Sequence, residues 1–274
     1  MKRRHAPQVN ARYWLAITLA SVFGTNLGDL YAHESGLDIV GGLFLLAIFA
    51  TTAFLFERRD DRAHEAYYWL AIIIIRTGAT NIADYLAFRV RVPPLALAVG
   101  LVVILAALAW RTHRSASKNQ TGASVGLPDT GAAYWAAMLI AGVLGTVLGD
   151  DSSRLVGQGL ASIGLGALLG LVLLMTRGAA TSIAAYWGTV AVARTAGTAI
   201  GDWLAENKLL NIGLPVSTLL TGAAFVAVLV LWRTKPIPVR SPSATLHPSR
   251  LFSRPKSVSK ANAVSGRSET GTGD

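Results

Sequence analysis

The chain has 274 residues, 52% hydrophobic and only 15% charged, with no Cys, a mean hydropathy of +0.46 and a formal net charge of +10. A soluble domain carries about 25% charge, so this composition excludes a disordered chain, a nucleic-acid-binding globule and a disulfide scaffold. Without Cys there is no thiol chemistry, and the basic residues lie in short flanking segments and the C-terminal stretch, which fits a membrane surface.

A membrane span needs about 20 mostly apolar residues to cross about 30 Å of hydrocarbon. In chain order, eight segments qualify: 13–32, 38–56, 67–88, 93–110, 133–151, 158–176, 184–205 and 213–232. The basic start, MKRRH before an apolar run, has the form of a signal peptide. It reads instead as a first span, because the apolar run is long, contains Asp29 and is followed by three more of its kind. Lys and Arg sort by side: nineteen lie in the terminal segments and alternate loops, four in the other loops, and Arg76 and Arg194 lie within spans. The bias puts both termini in the cytoplasm. The predicted organisation is a cytoplasmic segment over 1–12, four spans over 13–111, a cytoplasmic linker over 112–132 and four spans over 133–233. A disordered basic cytoplasmic tail over 234–274 completes it, with a composition suited to anionic lipid.

The strongest signal is an internal repeat. Every odd-numbered span opens on a Tyr-Trp pair: Tyr13-Trp14, Tyr68-Trp69, Tyr134-Trp135 and Tyr186-Trp187. Eleven residues after each Trp stands Thr25, Thr80, Thr146 or Thr198, and fifteen residues after it stands Asp29, Asp84, Asp150 or Asp202. Small residues flank each Thr-Asp pair at Gly24/Gly28, Ala79/Ala83, Gly145/Gly149 and Gly197/Gly201, a spacing that lets helix backbones approach closely. The second and fourth repeats carry Arg76 and Arg194 seven residues after Trp, where the first and third carry Ser21 and Gly142. The expected fold is therefore all-α: a polytopic membrane bundle of eight transmembrane helices, in four parallel two-helix repeats with nested pseudo-twofold symmetry.

At 100° per residue, Arg, Thr and Asp fall within one stripe of ~80° on each repeated helix. With each Trp set at the cytoplasmic interface as an anchor, Arg lies ~10 Å in, Thr ~16 Å in and Asp ~22 Å in. The motif resembles an uncharacterised bacterial family of membrane-anchored proteins built from four tandem two-span repeats, each with a characteristic Trp. Trp14, Trp69, Trp135 and Trp187 fit that residue, and the resemblance covers about residues 11–233. It implies an inner-membrane location and carries no activity with it.

Ionisable residues facing lipid cost roughly 2.5–3.5 kcal/mol each, so the four Asp and two Arg are expected to face inward. A ring of Asp29, Asp84, Asp150 and Asp202 is a candidate cation site, with Asn26 and Asn81 adding carbonyl oxygens and the four Thr hydroxyls replacing hydration water. All-oxygen donors suit hard cations, a divalent metal on the four Asp among them. The leading expectation is a small cation transporter or channel whose partners are the bilayer and a small cation, with no nucleic acid and no cofactor. Two alternatives stand beside it: a non-transporting membrane scaffold, and an anion carrier built on Arg76 and Arg194. No phosphate-binding loop, metalloprotease motif or nucleophile–base pair is present, so an enzyme is not expected.

Overall fold

A computed structural model describes residues 7–34, 36, 38–59, 65–119, 130–177 and 182–232. Among them the secondary structure is helical, without strands. The helices are α1 (Ala11–Glu34), α2 (Asp38–Arg59), α3 (Glu65–Asp84), α4 (Pro94–Asn119), α5 (Ala132–Val156), α6 (Gln158–Met175), α7 (Ile183–Glu206) and α8 (Gly213–Leu231). A π-helical turn, Tyr85–Arg89, extends α3. The eight apolar segments of the sequence fall one on each helix. The helix of α4 continues to Asn119, inside the segment read as a linker, while 120–129, 1–6 and the tail at 234–274 lie outside the described residues.

The helix ends follow local chemistry. Asn10 Oδ1 accepts from Tyr13 N at 3.0 Å, and Ser182 Oγ accepts from Ala185 N at 3.0 Å, so each caps the helix it precedes. Pro94 opens α4, where its missing N–H costs nothing. Gly157 alone separates α5 from α6; its φ of 85° is a conformation that only glycine adopts without strain.

Helices α1, α3, α5 and α7 close into a ring, with α1 on α3, α3 on α5, α5 on α7 and α7 on α1. The other four lie outside it. Helix α2 packs on α3, α4 on α5, α6 on α7, and α8 returns to α1. Small residues allow the inner contacts. A Cβ on Gly24 would stand 2.5 Å from Arg76 Cγ, one on Gly28 2.9 Å from Thr80 Cβ, and one on Gly149 2.7 Å from Thr198 Cβ. A Cβ on Gly142 would stand 2.7 Å from Ala79 Cβ, and one on Gly197 would overlap Ser21. Each inner helix thus seats the polar stripe of a neighbour against its glycine or alanine face, as the small-residue spacing predicts.

The distribution of polarity is that of a membrane protein. Large apolar side chains are exposed on the outer helices, among them Phe44 and Phe49 on α2, Val103 on α4, Ile163 on α6 and Leu219 on α8. Thr, Asn and Arg side chains are buried on the inner ones. Exposed apolar area on this scale belongs against lipid. Six helical stretches are long and apolar enough to cross a membrane: 38–56, 65–89, 94–114, 132–156, 158–175 and 213–231. Helices α1 and α7 fall outside that set, because Ser21, Thr25, Asn26 and Asp29 in one, and Arg194, Thr195, Thr198 and Asp202 in the other, lower their hydropathy.

Candidate functional site

The inner helices build a column of polar groups in layers. The first layer is a closed ring of four tyrosine hydroxyls, joined Tyr13–Tyr68 at 2.9 Å, Tyr68–Tyr134 at 2.6 Å, Tyr134–Tyr186 at 2.9 Å and Tyr186–Tyr13 at 2.6 Å. A hydroxyl donates one hydrogen bond and accepts others, so four of them satisfy one another around a square. All four tyrosines are buried. Each ring stands edge-on to the following Trp, with centroids 5.1–5.2 Å apart. Each also packs on the Trp of a neighbouring inner helix: Tyr13 on Trp69, Tyr68 on Trp135, Tyr134 on Trp187 and Tyr186 on Trp14.

Burial between helices was not part of the sequence expectation for these tryptophans. Trp14, Trp69 and Trp187 are buried, so these indoles pack between helices. Trp69 Nε1 donates to Glu65 Oε1 at 2.8 Å, and Trp187 Nε1 donates to Thr112 Oγ1 at 3.3 Å, so both indole N–H groups are satisfied inside the protein. Glu65 also takes Arg12 Nη1 at 2.7 Å, and Arg12 Nη2 donates to the Leu229 carbonyl, which ties α1, α3 and α8 together at this end.

The second layer contains Ser21, Arg76, Gly142 and Arg194, all seven residues after a Trp. The two guanidiniums are fully buried. Arg194 turns back along its helix: Nη1 donates to Ser21 Oγ at 3.1 Å, Nη2 lies 3.9 Å from Met138 Sδ, and the group is within electrostatic reach of all four tyrosines. Arg76 runs forward into the third layer. Its Nη1 donates to Thr146 Oγ1 at 2.8 Å, Thr80 Oγ1 at 3.2 Å and the Gly142 carbonyl at 3.3 Å. Its Nη2 donates to Thr25 Oγ1 at 2.5 Å and Thr198 Oγ1 at 2.6 Å. One guanidinium therefore gathers all four repeated Thr residues.

The hydroxyl protons explain why the ring accepts. Thr25 donates to the Ser21 carbonyl at 2.9 Å, Thr80 to that of Arg76 at 3.5 Å, Thr146 to that of Gly142 at 3.4 Å and Thr198 to that of Arg194 at 3.1 Å. Each proton is used one turn back along its own helix, and the lone pairs remain for the centre. The third layer is a ring of acceptors with a cation in it.

Asp29, Asp84, Asp150 and Asp202 follow one turn further on and are half-buried. Asp29 is within electrostatic reach of Asp84 and Asp150, and Asp202 of Asp150 and Asp29, so the four carboxylates share one end of the column. Among the described residues, no three acidic or His side chains stand close enough to hold one metal ion. Ion pairs among the described residues include Arg12–Glu65, Arg89–Asp38 and Arg154–Asp151. The two Asn residues point elsewhere. Asn26 Nδ2 donates to Ser217 Oγ on α8 at 2.7 Å, and Asn81 Nδ2 donates to the Thr77 carbonyl at 3.1 Å.

Fold and column together define the class: an all-helical membrane protein with a buried polar axis. Residues 185–235, which cover most of α7 and all of α8, match the family model described as a repeat of unknown function (DUF347), so this segment is similar to that repeat. No curated protein and no solved structure matches the chain.

Proposed function

We propose that this chain is an integral protein of a bacterial inner membrane that binds a small cation on its axis and carries it across. In this reading all eight helices span the bilayer as four parallel two-helix repeats, related as a duplicated duplication, with both termini cytoplasmic. Helices α1 and α7 are included because their neighbours enclose their polar stripes, so their hydropathy does not report what lipid sees.

The observation that carries the reading is the orientation of the four Thr hydroxyls. An anion needs donors, and these hydroxyls face backbone carbonyls, closely in Thr25 and Thr198 at 2.9 and 3.1 Å and more loosely in Thr80 and Thr146 at 3.5 and 3.4 Å. What faces the axis is acceptor oxygen, the chemistry that replaces the hydration of a cation. The Asp ring lies on the approach to it, where four carboxylates attract cations and repel anions. That placement favours a cation over the anion carrier. In the resting arrangement the path is shut by Arg76 in the Thr ring and, beyond Arg194, by the Tyr ring, which describes a gated carrier or channel.

The test is uptake into proteoliposomes from a panel of inorganic and organic cations, with wild type beside Asp84→Asn and membrane insertion measured for both. Cation uptake by wild type, lost in a well-inserted Asp84→Asn, supports the reading. No uptake of any cation by wild type would leave the column as the packing core of a scaffold.

A further inference from the structure

We propose that the cation of this column is a small guanidinium-type organic cation, and that Arg76 is its tethered substitute, closing the Thr ring until a free cation replaces it. This rests on the cation reading and adds the chemical class of the ligand.

Three observations carry the inference. The Thr ring already holds a guanidinium, through five N–H bonds at 2.5–3.3 Å to four hydroxyls and one carbonyl, with no carboxylate taking part. The acceptors are therefore set around a flat group with N–H donors at its edges. A bare metal ion needs oxygens on all sides at about 2.0–2.6 Å, and the carboxylates above are too dispersed among the described residues to supply them.

The second observation is that only neutral acceptors hydrogen-bond this buried charge, while Asp29, Asp150 and Asp202 act on it from a distance. Burying a guanidinium costs several kcal/mol unless its N–H groups are paired. Neutral acceptors hold a cation without fixing it in a permanent ion pair, which suits a site that must release its occupant. Arg76 also fills the site incompletely: its Nε has no hydrogen-bond partner. A free guanidinium brings six N–H donors and no stem.

The third observation is the pairing of two levels. Only two of the four positions in the second layer carry Arg, and the other two are Ser21 and Gly142. The column holds guanidiniums at two heights, one on the Thr ring and one facing the tyrosines, and both are the protein's own side chains. Ahead of Arg76 on the same helix stands the half-buried Asp84, with Asp29, Asp150 and Asp202 on the other inner helices.

The test uses the full chain in detergent and in vesicles. In Arg76→Ala the tether is gone and the Thr ring is vacant. Guanidinium chloride at low millimolar concentration is expected to raise the Tm of this variant by ~3 °C or more over equal NaCl, and that of wild type by less, because there Arg76 competes for the site. An equal response to NaCl, or no response, overturns the inference. Should Arg76→Ala fail to insert, wild-type proteoliposomes decide. Uptake of methylguanidinium in preference to sodium, potassium and magnesium is expected. Uptake of inorganic cations alone overturns the guanidinium assignment and leaves the cation reading standing, whereas no cation uptake overturns both.

Discussion

Arg76 and Arg194 hold the same position in two repeats, yet their guanidiniums occupy opposite surroundings. Arg194 follows the usual tilt of helical side chains toward the N-terminus and ends near sulfur and the tyrosines, with one hydroxyl partner. Arg76 runs against that tilt and ends among five oxygen acceptors. Two like charges buried at one level repel; turning one up and one down separates them. The comparison teaches that repeated sequence supplies equal backbones, and that a break in the repeat decides which way each side chain goes. Ser21 offers Arg194 a hydroxyl at its own level, whereas Gly142 offers Arg76 a carbonyl and no side chain.

Substitutions can break this contrast at different depths. The largest effect is expected where backbones touch. In Gly145→Leu the new Cβ meets Arg194 Cβ at 2.5 Å and backbone atoms of Arg194 and Thr195 at 2.8–3.0 Å, so α5 and α7 must part and the yield of folded protein in membranes should collapse. Gly164→Ala on the outer face, where nothing lies within 4 Å, should leave yield unchanged. Next comes the pair of arginines. Arg76→Met removes five hydrogen bonds and should cost ~3 kcal/mol, and Arg194→Met about 1 kcal/mol or less, as read by thermal unfolding in detergent. Equal losses would erase the distinction drawn here. Smaller again is Tyr134→Phe, which opens the hydroxyl ring at two bonds and should cost ~1–2 kcal/mol. Tyr85→Phe, at a more exposed site, should stay within about 0.5 kcal/mol of wild type.

Much of this was legible in the sequence, and the remainder has definite physical causes. Apolar runs marked all eight helices, most ends to within about three residues, while α4 runs nine residues past its apolar segment and α5 five. The Thr-Asp spacing put both residues on one face of each repeated helix, and the small pairs foretold close approach of the helix backbones. The tyrosines stood in the repeat without a role in the polar stripe assigned to them. Standing one residue before Trp, each lies ~100° from it on the helix, off the polar stripe, and only its length and the enclosing indoles bring the hydroxyl to the axis. The indoles were expected at the membrane interface because isolated Trp prefers it; the sequence did not show that Trp14, Trp69 and Trp187 are buried beside hydrogen-bonded tyrosines of neighbouring helices. The two directions of Arg76 and Arg194 could not be read at all, because a rotamer depends on partners from other helices.

The most direct test of the cation column is the acceptor ring itself, through cation uptake into proteoliposomes by wild type, Thr146→Ser and Thr146→Val. Serine keeps the hydroxyl that accepts from Arg76 at 2.8 Å, and valine keeps the shape without it. The account predicts uptake near wild type for Thr146→Ser and a loss of ~10-fold or more for Thr146→Val, the equivalent of one charge-assisted hydrogen bond. Equal uptake by all three proteins, each well inserted, would contradict it.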